Sequence, residues 1–233
     1  MLKILGIIPA RGGSKGIPKK NIYPAAGIPL IAYTLREVEK TKLLNTCIVS
    51  SDDSEIIDIA KKYGGKSPFV RPAELATDQA ASWDVALHGL RFMESQGSLY
   101  DAVMLLQPTC PLRLATDIDG AIEMLDQNPS ADSVVSVCKI EDPHPVKTFQ
   151  MTQGLLKPFL PDQWKENLRR QDLPETYFLN GAIYCVRKNV LLQQKSLWGR
   201  KTLPYLMPPE RSVNIDKMMD IHYLEFLLKK SVS

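Results

Sequence analysis

The chain has 233 residues, of which 44% are apolar and 24% charged, and its formal net charge is +3. These values are typical of one large soluble domain with a substantial core. The charge is too small to predict nucleic acid or an anionic membrane surface as a partner. No apolar run approaches the roughly 20 residues of a membrane span. Residues 1–3 lead directly into a strand-like run, so no signal peptide is expected.

The four cysteines lie far apart in the chain, without a C-x-x-C pair or a histidine cluster beside them. Cys47, Cys138 and Cys185 fall in strand-like runs, where a thiol is usually a small buried hydrophobe. This usage favours a reducing compartment, and we expect a cytoplasmic protein.

Strand-like apolar runs and helical periodicities alternate along the first part of the chain. The pattern predicts strands at 4–8, 46–50, 68–70, 102–106 and 133–137, and helices at 29–42, 55–63, 80–96 and 118–125. This alternation is typical of the α/β class, with a doubly wound, mostly parallel sheet and helices on both faces. Such sheets bind ligands beyond the carboxyl ends of their strands.

The pattern changes after residue 141, where proline and polar residues become frequent. Weak strand signals occur at 148–151, a clear strand returns at 181–186, and a final helix is predicted at 216–229. We interpret residues of about 142–182 as an excursion from a single domain that spans 1–233, and not as a second domain.

The loop after the first strand, residues 10–21, carries the clearest chemical signal. It contains three glycines, one arginine, three lysines and a serine. Glycines allow positive φ and let backbone N–H groups close around an anion, while cations neutralise a polyphosphate. The pattern predicts a phosphate cradle, and the alternative is a solvated surface loop. Neither the Walker P-loop register nor a G-x-G-x-x-G fingerprint is present.

This loop resembles the opening signature of the N-acylneuraminate cytidylyltransferases and their legionaminate and pseudaminate relatives, which activate acidic nonulosonic sugars with CTP. Further segments match that family in the same order along the chain. They are Arg71–Asp78 with Ser82 beyond it, Leu106–Arg113, His144–Lys147, Arg169–Pro174, Leu179–Tyr184 and Ser212–Asp216. The resemblance implies a Rossmann-like nucleotidyltransferase fold.

The resemblance also implies which residues contact the nucleotide. Arg11, Ser14 and Lys15 would hold the β- and γ-phosphates, while Lys20 and Asn21 would touch the α-phosphate and the nucleotide. The rest of the implied nucleotide-binding set is Ala10, Gly13, Arg71 and Ser82. Without the resemblance, the segment around Arg71 would be interpreted as a charged turn.

A second implied set would bind the sugar acid, and it consists of Gln107, Lys147, Arg170, Gln171 and Asn180. Gln107 can offer both a donor and an acceptor. A guanidinium matches a planar carboxylate at two points and a lysine supplies a point charge, so Lys147 and Arg170 would bind the sugar carboxylate. The alternatives are a proline-stiffened turn for the first residue and ordinary surface charges for the other two.

Asn214 and Asp216 lie on the same side of a predicted extended segment. Oxygen ligands in this arrangement suit Mg²⁺ that bridges to substrate phosphates. The family normally has aspartate at both positions, so Asn214 is a departure that removes one charge. The alternative role of Asp216 is an N-cap of the last helix.

The implied reaction joins CTP and a nonulosonic acid to give a CMP-sugar and pyrophosphate, with Arg11, Lys15, Lys20 and Asp216 as catalytic residues. In the family the excursion also builds a homodimer, so a homodimer is expected here. A rival interpretation is a non-catalytic nucleotide-sugar binding or regulatory module on the same fold. A dinucleotide-dependent oxidoreductase would lack its fingerprint.

Overall fold

The computed structural model describes residues 1–167 and 169–230, and within them the chain folds around one six-stranded sheet. In chain order the strands are β1 (Ile4–Pro9), β2 (Pro24–Ala25), β3 (Ile28–Pro29), β4 (Thr46–Ser50), β5 (Ala102–Leu105), β6 (Ser133–Lys139), β7 (Phe149–Thr152), β8 (Leu155–Pro158), β9 (Tyr177–Arg187) and β10 (Thr202–Leu206). The helices are α1 (Leu30–Lys40), α2 (Ser54–Lys62), α3 (Ser82–Ser95), α4 (Ala115–Gln127), α5 (Lys188–Gln194) and α6 (Met218–Lys230).

The strand order of the main sheet is β10-β6-β9-β5-β1-β4. Strand β1 pairs in parallel with β4 and β5, and β10 pairs in parallel with β6. Strand β9 runs antiparallel between β5 and β6. The predicted α/β class and the mostly parallel sheet are confirmed, with β9 as the antiparallel exception.

Helices cover both faces of this sheet, and β1 is buried on both sides. Ile4 and Ile8 pack in the core that contains side chains of α1, α2 and α4, while Leu5 and Ile7 pack in the core on the side of α3 and α5. Each of these four side chains is fully buried and stabilises the fold by about 1.5–3 kcal/mol. The end of β1 is therefore a rigid base for the loop that follows it.

A third apolar cluster joins the C-terminal part of the chain to that loop. Ile17 in the loop and Leu30 at the start of α1 pack with Ile215 and with Leu224 of α6. This packing places the segment before α6 beside the loop after β1, although the two are far apart in the sequence.

Between β6 and β9 the chain leaves the main sheet and forms the hairpin β7–β8. Gln153 and Gly154 at its turn have φ of 53° and 78°, as a tight two-residue hairpin turn requires. The chain rejoins the sheet at Tyr177, a few residues earlier than the sequence pattern indicates.

Other local predictions differ from the structure in instructive ways. The strand predicted at 68–70 is wrong, because this segment joins no ladder. The chain beside it makes isolated backbone bonds instead, such as Arg71 N–H to Ser51 O at 2.7 Å. Helix α2 is capped by Asp53, whose side chain accepts from the N–H groups of Glu55 and Ile56. Strand β10 and helix α5 were not predicted.

Within residues 1–167 and 169–230, every helix is too short or too polar to cross a membrane.

Candidate active site

A cavity of about 370 Å³ lies beyond the carboxyl ends of β1 and β5. This is the edge at which a parallel α/β sheet binds its ligands. Most of the predicted nucleotide and metal residues line it, together with one predicted sugar residue. They are Arg11, Ser14, Lys15, Lys20, Asn21, Arg71, Ser82, Gln107, Asn214 and Asp216.

The glycines of the phosphate loop, as we name residues 10–21, permit close packing. A Cβ on Gly12 would lie 2.7 Å from the Asp53 carboxylate, and one on Gly16 would lie 2.5 Å from the Asp216 carbonyl oxygen. A Cβ on Gly13 would meet open space. The expectation that these glycines supply positive φ is wrong, because the loop residue in the left-handed region is Lys19, with φ of 51°.

Two cations of the phosphate loop share one carboxylate. Arg11 Nη2 and Lys15 Nζ each lie 2.6 Å from an oxygen of Asp78. The hydrogen bonds from Lys15 and then Arg11 lower the pKa of Asp78 below its ordinary value. Asp78 is therefore the carboxylate on which these two cations converge.

Lys20 and Asn21 connect the loop to its surroundings. The Lys20 ammonium lies 2.9 Å from Asp216 Oδ1. The buried Asn21 side chain donates to the Arg11 carbonyl at 3.0 Å, which braces the loop. Ala10 is fully buried, and its N–H bonds Ser50 O at 2.9 Å. Neither Ala10 nor Gly13 lines the cavity.

Arg71 and Ser82 form another part of the wall. The Arg71 guanidinium bonds the hydroxyl and the carbonyl oxygen of Ser50 and is almost fully buried. Burial lowers its pKa to about 10, so it is still charged at neutral pH. Ser82 is the first residue of α3, and a helix N-terminus favours an anion or an acceptor.

Gln107 is held by a buried arginine that sequence reasoning did not single out. Arg113 is fully buried and donates to the carbonyl oxygen of Ala182 at 2.6 Å and to the Thr34 hydroxyl at 2.8 Å. It also reaches the Gln107 carbonyl at 3.5 Å. Gly181, with φ of +78°, leaves room for the Gln107 side chain, since a Cβ would lie 2.9 Å from its Oε1.

The structure does not bring Asn180 to the cavity wall, although it was predicted to face the sugar. Its side chain is buried, and its Oδ1 accepts from the Ser136 hydroxyl at 2.6 Å and from the Ala182 N–H at 3.1 Å. Its Nδ2 donates to the Ser212 hydroxyl at 2.9 Å. These internal bonds make Asn180 a brace between β6, β9 and the segment before α6.

Lys147, Arg170 and Gln171 lie outside the cavity wall, on exposed turns of the excursion. We call His144–Lys147 and Arg169–Pro174 the clamp segments. The buried His144 ring joins them, because its Nε2 lies 3.0 Å from the Pro174 carbonyl oxygen. The Arg170 guanidinium is 67% exposed and only 3.9 Å from the Glu141 carboxylate.

Asn214 and Asp216 lie side by side as predicted, but the amide presents its nitrogen to the carboxylate. Asn214 Nδ2 donates to Asp216 Oδ2 at 2.7 Å. The carboxylate of Asp216 does not cap α6, because Asp220 accepts from the N–H groups of Asp216 and Lys217. In the described part of the chain, no group of three or more His, Cys, Asp or Glu side chains could hold a metal ion.

A cationic cavity with a neighbouring carboxylate, at the carboxyl edge of a doubly wound sheet, defines a protein of the nucleotidyltransferase class. The cytidylyltransferase family model matches residues 5–221. The chain belongs to this family.

Curated relatives and a solved structure agree with this assignment. The chain is 33% identical over 228 residues to a pseudaminic acid cytidylyltransferase of Campylobacter jejuni, covering 98% of this chain and 97% of the relative. It is 36% identical over 218 residues to an N-acylneuraminate cytidylyltransferase of Escherichia coli, covering 94% of this chain and 50% of that longer protein. The fold is similar to that of a CMP:2-keto-3-deoxy-manno-octonic acid synthetase in complex with CTP, with a TM-score of 0.72, 17% identity and coverage of 98% and 99%.

Proposed function

We propose that the chain transfers the CMP group of CTP to a nonulosonic acid, giving the CMP-sugar and pyrophosphate. The observation that carries this proposal is the convergence of Arg11, Lys15 and Lys20 on one cavity in a chain of the cytidylyltransferase family. The choice of sugar acid rests on the relatives, whose names specify pseudaminic and N-acylneuraminic acids.

In the proposed reaction the anomeric hydroxyl of the sugar attacks the α-phosphorus and loses its proton to solvent, and the bond from that phosphorus to the bridging oxygen breaks as pyrophosphate leaves. Arg11, Ser14 and Lys15 would hold the β- and γ-phosphates, and their charges would offset the charge that develops on pyrophosphate. Lys20 and Asn21 would fix the α-phosphate, while Arg71 and Ser82 would bind the nucleotide. Catalysis would rest on this positioning, without a covalent enzyme intermediate.

Asp216 is the residue that would hold Mg²⁺. Its carboxylate is 61% exposed, lines the cavity and lies beside the phosphate loop. Mg²⁺ in nucleotide sites is usually bound by one or two carboxylates together with substrate phosphates, so this donor set fits the ion. When bound, Mg²⁺ would neutralise phosphate charge next to the reacting phosphorus.

The clamp segments would bind the sugar carboxylate through Lys147 and Arg170, with Gln171 and Gln107 as further sugar contacts. The chain would act as a homodimer. The hairpin β7–β8 supports the dimer, because Phe149, Met151 and Leu156 share one face and are exposed. A second chain on that face would bury apolar area and enclose the exposed clamp.

A pyrophosphate-release assay tests the function. The chain would be mixed with CTP, Mg²⁺ and N-acetylneuraminate, a legionaminic acid or pseudaminic acid, and we expect release with at least one sugar. CTP binding without release for any of the three would favour the non-catalytic binding module.

All four cysteines are free thiols, and CTP is a cytoplasmic metabolite, so we propose the cytoplasm as the compartment.

A further inference from the structure

The orientation of the Asn214 amide is determined by its neighbours. Its Nδ2 donates to Asp216 Oδ2 at 2.7 Å, while its Oδ1 lies 3.6 Å from the sulfur of Cys110, whose thiol has a nearer acceptor in the Asn180 carbonyl oxygen at 3.1 Å. A reversed amide would direct its oxygen at a carboxylate oxygen. The observed orientation is therefore the one that the hydrogen bonds require.

Asp216 is held from several sides. Lys20 Nζ donates to its Oδ1 at 2.9 Å, while Asn214 binds its Oδ2. The backbone is fixed as well, because the Ile215 N–H donates to Thr109 O at 2.8 Å and Gly16 packs closely against the Asp216 carbonyl. Each carboxylate oxygen has two acceptor positions, so both oxygens keep one position free for a cation.

We infer that Asn214 is a positioning residue, which orients the Asp216 carboxylate for the metal that accompanies the triphosphate and does not itself bind that metal. This inference rests on the proposed function, because it assumes that Asp216 meets metal-bound CTP. If the amide turned to bring its oxygen to the cation, the amide nitrogen would leave Asp216. The amide of Asn214 fixes the carboxylate while adding no charge of its own.

A double-mutant cycle separates positioning from direct ligation, because a residue that acts only through Asp216 has no effect once Asp216 is removed. The measured quantity is the ratio of the CTP affinity in Mn²⁺ to the CTP affinity in EDTA. Both affinities are measured by calorimetry, and the sugar is left out so that no turnover occurs. The proteins are wild type, Asn214→Ala, Asp216→Ala and the double variant. Thermal unfolding in EDTA checks that each variant is folded.

We expect Asp216→Ala to lower the metal-dependent ratio by at least about tenfold. Asn214→Ala should lower it by about fivefold, because the hydrogen bond between these two side chains is exposed and therefore weaker than a buried one. The double variant should match Asp216→Ala within about twofold. The inference is overturned if the double variant loses the full product of the two single effects, or if Asn214→Ala changes nothing.

Failure of the proposed function has a different signature. Wild type that binds no CTP in either buffer, or binds it equally well with and without Mn²⁺, would overturn the proposed role of Asp216 and the inference with it. Metal-dependent CTP binding in wild type with additive losses in the variants would overturn the inference alone.

Discussion

The phosphate loop and the clamp segments are both cationic, but the chain supports them very differently. The phosphate loop follows a strand that is buried on both faces, and its Ile17 is anchored in a core cluster with α6. The clamp segments lie on exposed turns beside a hairpin whose apolar side chains are also exposed. Their main internal connection is the bond between His144 and Pro174.

Under the proposed function, a single chain would build the nucleotide half of the site and leave the sugar half open. Arg11 and Lys15 of the phosphate loop already contact Asp78, and Lys20 contacts Asp216, before a ligand arrives. Arg170 has only a distant, exposed carboxylate as an ion partner. We therefore expect CTP binding to depend on the phosphate loop and the cavity wall around it, and sugar binding to depend also on the clamp segments and the dimer.

The largest effect is expected for Asp216→Ala, which removes the carboxylate proposed to hold the metal at the boundary of the two halves. Loss of a metal contact that stabilises transition-state charge is worth several kcal/mol, so kcat should fall at least about 100-fold. The matched control is Glu39→Ala, on the exposed side of α1. Initial rates of pyrophosphate release at saturating substrates measure the change, and retention of more than a third of the activity would contradict the role.

Lys15→Ala tests the nucleotide half. Loss of a charge-assisted contact of about 1.5–3 kcal/mol should lower kcat/KM for CTP by at least about tenfold. Lys19→Ala is the control, because Lys19 lies in the same loop but pairs with Glu55 and does not line the cavity. Equal kinetics of the two variants would argue against a cradle that depends on individual cations.

Arg170→Lys tests the sugar half. The lysine retains the charge but cannot reproduce the two-point contact of a guanidinium with a carboxylate, so KM for the sugar should rise by about fivefold or more while CTP affinity stays nearly constant. Arg169→Lys is the control, since Arg169 pairs with Asp172. If calorimetry shows that Arg170→Lys weakens CTP binding instead, the assignment to the sugar carboxylate is wrong.

Disruption of the hairpin face tests whether a partner chain completes the sugar half. Met151→Asp places a charge on the exposed apolar face, and light scattering should then show a monomer. The monomer should keep its CTP affinity within about twofold, because distant sites act independently. Its KM for the sugar should rise by about threefold. A variant that stays dimeric would contradict the proposed interface. The opposite-face change Thr152→Asp is the matched control.

The fold and the phosphate loop could be predicted because their signals are local. A buried parallel strand is a continuous apolar run, and β1 and β5 have that pattern. The weak signal of β10 was missed because Pro204 lies in its centre and its side chains are only partly buried. In the same way, the strand expected at 68–70 has the right composition, but the chain around it bonds the edge strand β4 and the residue after it at separate points, such as Val49 N–H to Lys66 O and Arg71 N–H to Ser51 O, and forms no ladder.

The details of the site depend on contacts between distant segments, which composition and spacing do not reveal. Asp78 meets Arg11 and Lys15 only because the loop before α3 comes back to the phosphate loop. Asn180 has the residue type of a sugar ligand, yet Ser136 and Ser212 already bind its side chain. Arg113 belongs to a recognisable motif, but its complete burial follows only from the packing.

The smallest effect is expected for Asp78→Asn, which tests how the contacts of Asp78 with the loop cations influence CTP binding. The Asp78 carboxylate binds Arg11 and Lys15 and must give up these contacts when triphosphate oxygens take its place. Asparagine keeps the size and can still accept hydrogen bonds, but it competes with the phosphates less strongly because it has no charge.

The ion pairs are exposed, so their strength is limited by solvent and salt. CTP affinity of Asp78→Asn should therefore rise by only about twofold, most clearly at low ionic strength. Calorimetry at two salt concentrations measures this, with Asp84→Asn in α3 as the control. A weaker CTP affinity in Asp78→Asn would mean that the carboxylate mainly holds the loop in shape. The cations would then depend on Asp78 for their arrangement, and the nucleotide half would be less independent than its buried strand indicates.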